Sequence, residues 1–145
     1  MDTTSPAVSD EQPRPTNSGP GRVLVAVYGV FALAACARAA VQLSTSFNDA
    51  PLAYVLSAVA GVIYIVATVT LARGTATSRR VALAAILVEA AGVLIVGTAS
   101  LLDPAAFPSA TVWSTYGIGY GFVPLVLPFL GLAWLYRTRP SAYAQ

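Results

Sequence analysis

Few residues in this chain are of a type that does chemistry, and Glu89 leads them. It stands about nine residues into the apolar run 81–102, near the middle of any helix that run forms. An acid at the centre of an apolar helix is costly to bury and reads by default as a functional site. Ala82, Ala85, Gly92 and Ser100 fall on its side of the helix. Small residues line helix contacts in membranes, so Glu89 is expected to face other helices and not lipid. Two chemistries suit it. One is a carboxyl that exchanges protons or holds a ligand; the other is a neutral carboxyl that hydrogen-bonds a neighbouring helix.

Arg38 is the second such residue, and Gln42 and Thr45 share its face at helical spacing. Its flexible stem permits snorkelling to the nearby interface. It also permits an ion pair with Glu89, since the two Cα atoms differ in depth by roughly 9 Å and helical side chains lean toward the N-terminus. Tyr64 lies at almost the depth of Glu89, with Ser57, Gly61 and Thr68 continuing its face. A hydroxyl that deep needs a partner, and Glu89 is the expected one. Glu89, Arg38, Tyr64 and Gln42 therefore make up the expected buried polar cluster. It is either a ligand site or, the favoured reading, the bond that fixes helix packing.

Most other chemistry is excluded. The chain has no histidine, which removes the commonest general base and metal ligand. Its one cysteine, Cys36, has no partner for an internal disulfide and sits among alanines as a small apolar residue. There is no Gly-rich phosphate loop, no metal-ligand spacing and no nucleophile–base pair. No catalytic residue, metal or cofactor is expected, and the chain does not read as an enzyme. With a net charge of +2 and dispersed arginines, nucleic acid is not an expected partner.

The elements that position these residues follow from composition. Of 145 residues, 57% are hydrophobic and 10% charged. A soluble domain carries roughly 25% charged residues, so lipid is the expected solvent. Four apolar runs, at about 23–43, 52–72, 81–102 and 117–136, are each long enough to cross about 30 Å of hydrocarbon as a helix. Barrel strands would need alternating polarity, which is missing. The expected fold is all-α: a four-helix transmembrane bundle over 22–139 with short connections. A Pro-, Ser- and Gly-rich tail at 1–21, with no apolar face, is expected to be disordered, and 140–145 form a short C-terminal tail. The first apolar run is too long for a signal peptide.

Arginine sets the orientation. Arg14, Arg22, Arg73, Arg79, Arg80, Arg137 and Arg139 fall on one side; the two opposite loops hold Asp49 and Asp103 and no Arg or Lys. By the positive-inside rule the tail, the middle connection and the C-terminus are cytoplasmic, which makes the chain a multi-pass protein of the cell membrane.

Two further features read mainly as structural. Gly117, Gly121, Pro124, Pro128 and Gly131 predict a bent last helix, with a gate or pocket lining as the functional alternative. Phe107, Trp113, Tyr116 and Tyr120 read as an interfacial aromatic belt, and Asp103 followed by Pro104 starts a short helical turn.

The runs RVLVAVYGVFALAACARAAVQ, DAPLAYVLSAVAGVIYIVAT and TVWSTYGIGYGFVPLVLPFLGLAWL resemble small four-helix integral membrane proteins of high-GC Gram-positive bacteria, a family of unknown function. Abundant Ala and Arg without Lys fit a GC-rich genome. The resemblance implies a fold and no activity. The expected function is that of a non-enzymatic membrane component or partner subunit. The alternative is a small oligomeric transporter or channel using the buried cluster. Expected partners are the lipid bilayer and another membrane protein or a second copy.

Overall fold

The computed structural model describes Thr16 and residues 19–139. Apart from Thr16 and residues 19–21, the expected disordered tail lies outside the described residues, as does the tail at 140–145.

Long apolar runs satisfy their backbone internally by forming helices. Helix α1 spans Pro20–Thr45, α2 Pro51–Arg73, α3 Ala76–Leu102 and α4 Val123–Arg137. Short 3-10 turns occupy Phe47–Asp49, Pro104–Ala106 and Ser114–Tyr120, and no strand occurs among the described residues. The turn at Pro104–Ala106 follows Asp103 as the sequence predicts.

Local signals set the boundaries. Pro51 and Pro124 stand in the first turns of α2 and α4, where a missing N–H costs nothing. Gly74, in the left-handed conformation at φ 67°, ends α2. Thr75 then caps α3, its hydroxyl accepting from the Ser78 N–H at 3.1 Å. With only Gly74 and Thr75 between them, α2 and α3 are tight antiparallel neighbours.

The buried faces are stripes of small residues. Ala32, Ala35 and Ala39 line α1; Ala53, Ser57, Ala60, Gly61 and Ala67 line α2. Such stripes let α1 and α2 pack along their lengths. Helix α3 packs on α2 and on α4, whereas α4 barely meets α1. The outward faces are apolar: Leu102 is 80% exposed, Leu33 75% and Ile95 67%. A surface this apolar is compatible with lipid as its solvent.

Helices α1, α2 and α3 have 26, 23 and 27 residues, about 34–40 Å each, and all three are long and apolar enough to cross a membrane. Helix α4 has 15 residues, about 22 Å, and falls short of a bilayer alone. Ser114–Tyr120 and α4, bent by 98° from each other, make either a broken span or a re-entrant loop, giving three candidate crossings or four if the bent pair counts as one. The continuous helix expected over 117–136 therefore starts only at Val123. Thr115, Tyr116, Gly117, Gly121 and Phe122 all have positive φ, which no right-handed helix accommodates. Folding back at these residues lays the rings of Trp113 and Tyr116 on α3.

Candidate functional site

The core of the candidate site forms where α1, α2 and α3 meet the segment between α3 and α4. Glu89 is fully buried on α3. Its Oε2 accepts a hydrogen bond from the Tyr28 hydroxyl of α1 at 2.7 Å. The same hydroxyl lies 3.5 Å from the Leu127 carbonyl of α4, so Tyr28 sits where three helices converge. Glu89 Oε1 is buried without a partner. In a membrane interior such an atom is the costliest feature of the site.

Tyr64 is also fully buried, on α2. Its partner is not Glu89, as the sequence predicted, but Trp113, whose indole N–H donates to the Tyr64 hydroxyl at 3.0 Å. Tyr28, bonded to Glu89, also packs beside Tyr64, with ring centroids 6.2 Å apart.

Trp113 reaches Tyr64 because α3 supplies slots for the returning segment. At Gly92 an added Cβ would stand 2.6 Å from the Trp113 ring, so only glycine admits the indole here. One turn and a half along, Gly97 admits the ring of Tyr116. Polar bonds hold the irregular backbone: Ser100 Oγ accepts from the Thr115 N–H at 2.8 Å, and the Tyr116 hydroxyl bonds Thr98 at 2.8 Å. Trp113 is 3% exposed, so the interfacial belt expected for it is replaced by a core position.

Of the two settings open to Arg38 in the sequence, the ion pair with Glu89 does not form among the described residues. Arg38 donates to the Tyr120 hydroxyl at 3.1 Å and the Ala110 carbonyl at 3.2 Å. The folded-back segment brings these acceptors to the outer end of α1, sparing the guanidinium the desolvation that a midplane pair demands. Gln42 stands apart as well, about 21 Å along α1 from Tyr28, half-buried and with Oε1 unpartnered. Phe31 bridges the two zones, with ring centroids 5.8 Å from Tyr64 and 5.7 Å from Tyr120.

The sequence reading missed Tyr28 and Trp113. Tyr28 had a signal: it continues the Ala32, Ala35, Ala39 stripe of α1 at helical spacing. Trp113 had none, because its position depends on a fold-back between non-adjacent elements. Cys36 is half-buried, its sulfur against Gly61. No group of His, Cys, Asp or Glu among the described residues is placed to hold a metal ion.

At the helix end bearing Gly74, Thr16 is buried, contrary to the expectation of a wholly disordered tail. Its hydroxyl donates to the Leu71 carbonyl, one of the free acceptors at the end of α2, and its own carbonyl accepts from the Trp134 indole at 2.9 Å. The arrangement as a whole binds helices to one another, and Glu89 is the one acid at its heart. No family model, no curated protein and no solved structure matches this chain.

Proposed function

We propose that this chain is a non-enzymatic component of the cell membrane, a four-helix bundle with both termini cytoplasmic, that serves as a partner subunit and not as a transport path. The observation that carries this reading is the sealing of the polar core. Glu89, Tyr28 and Tyr64 are fully buried among the chain's own side chains, and none of them lines the surface grooves between α1 and α4, between α3 and α4 or between α1 and α2. A group that moves protons or ions needs a wet route to both faces. Sealed hydrogen bonds between helices fix packing instead. The arginine asymmetry of the sequence supports the orientation.

A second reading, a small oligomeric transporter, draws on one observation: Glu89 Oε1 is buried without a partner. Proteoliposomes separate the two. The purified protein is expected to leave a proton or sodium gradient intact. Gradient collapse that Glu89→Gln abolishes, with the variant still folded, would replace the first reading by the second.

A further inference from the structure

The helix end that holds Gly74 and Thr75 carries a second feature, independent of the polar core. A groove of ≈ 490 Å³ runs between the start of α3 and the end of α4. Arg79, Arg80 and Arg139 line it together with Leu83, Leu132 and Tyr136.

The three arginines are differently set. Arg79 is anchored: it donates to Thr138 Oγ1 at 2.8 Å and to the Leu135 carbonyl at 2.7 Å, pinning the end of α4 to α3. Both acceptors are neutral, so neither compensates its charge. Arg139 lies over the Tyr136 ring with its guanidinium carbon 4.1 Å from the centroid. Arg80 is exposed.

No carboxylate among the described residues faces them. The acids of the chain are Asp2, Asp10, Glu11, Asp49, Glu89 and Asp103. Asp49 and Asp103 sit at the opposite helix ends, and Glu89 is buried against Tyr28. Asp2, Asp10 and Glu11 lie outside the described residues.

Three cationic heads above leucine and tyrosine walls form an amphipathic site. Guanidinium groups bind phosphate through paired N–H donors. A free inorganic anion would use those donors and leave the apolar walls bare. A lipid uses both, and basic pockets at the ends of membrane helices hold acidic head groups. We propose that this groove binds an acidic phospholipid. Its phosphate lies between Arg80 and Arg139 with Arg79 as a fixed third charge, and an acyl chain runs along Leu83 and Leu132. The inference requires that the chain sit in a bilayer, and does not depend on its orientation or on the absence of transport.

The test uses the full chain in a mild zwitterionic detergent, with native mass spectrometry of bound lipid. Phosphatidylglycerol and phosphatidylcholine of identical acyl chains are the probes. Phosphatidylglycerol is expected to be retained preferentially. Each arginine near a lipid surface contributes about fivefold, so Arg80→Gln with Arg139→Gln should weaken its retention about thirtyfold. Arg79 is left in place because it anchors α4. Arg73→Gln with Arg137→Gln removes the same charge elsewhere and should leave the preference intact. The melting temperature of both double variants shows that each is folded.

Equal retention of the two lipids would overturn the proposal, as would an equal loss in the two double variants. Loss of the preference in millimolar inorganic phosphate would assign the groove to a free anion. A preference that appears only after residues 1–15 are deleted would assign it to the chain's own Asp10 and Glu11.

Discussion

Gly92→Ala is the sharpest probe of the folded-back segment. The added methyl would meet the Trp113 ring at 2.6 Å, whereas carbon atoms rest at about 3.5–4.0 Å, so the indole must retreat by about 1 Å. Trp113 is 3% exposed and its N–H is held 3.0 Å from the Tyr64 hydroxyl. A retreat of that size carries the bond past the normal limit. Overpacking costs about 1–3 kcal/mol and a membrane hydrogen bond about 0.6–1.7 kcal/mol, offset by up to about 1 kcal/mol of helix propensity gained over glycine. The expected net loss is about 1–3 kcal/mol, or roughly 3–10 °C in melting temperature for a chain of this size. Gly119→Ala is the matched control, since nothing lies within 4 Å of its added methyl. Trp113→Phe removes the benzo ring that the methyl strikes. The double variant Gly92→Ala, Trp113→Phe should therefore be less destabilised than the sum of the singles by about 0.5–3 kcal/mol. Melting curves in detergent for the parent and the four variants give the answer. An unchanged melting point for Gly92→Ala, or strict additivity in the cycle, would refute the docking of Trp113 on α3.

Three other outcomes are expected. Glu89→Gln keeps an acceptor for the Tyr28 hydroxyl and should lie within about 1 kcal/mol of the parent; Glu89→Leu strands that hydroxyl and should cost about 1–3 kcal/mol in the same melts. Deleting residues 1–15 should leave the melting point unchanged, whereas deletion through Gly19 also removes both Thr16 bonds and should lower stability by about 1–3 kcal/mol; equal melting points for the two truncations would count against the Thr16 contacts. In a Cys36→Ala background, single cysteines at Ser46 and Ser109 should react with an impermeant thiol reagent in intact cells. Labelling only after lysis would reverse the proposed orientation.

The long helices were legible because lipid leaves so few choices. An apolar run of 20 residues must close its own hydrogen bonds, and the limits of α2 differ from the expected 52–72 by a single residue at each end. Glu89 was legible as an interior residue for a related reason: its own helix face carries Ala82, Ala85 and Gly92. The partners were not legible. Depth along a helix can be counted, but the angle at which two helices present their faces cannot, so Tyr64 and Arg38 were as plausible as Tyr28. The shortening of α4 escaped for another reason. Gly117 and Gly121 allow a turn, and Pro124 suits a helix start, yet the same residues suit a kinked helix equally well. What decides between them is the pair of glycine slots on α3, which no local reading of 117–136 contains.

The fold-back also ties the irregular segment to the helices beneath it. Backbone with three successive left-handed residues, Thr115 to Gly117, cannot face hydrocarbon, because its N–H and C=O groups would go unbonded there. It becomes admissible only on a finished surface that offers Gly92, Gly97, Ser100 and Tyr64, and that surface exists only once α2 and α3 have paired. The dependence runs both ways: α2 and α3 supply the bonding partners that the segment's backbone lacks on its own, and the segment's rings fill the slots that the glycines of α3 leave open.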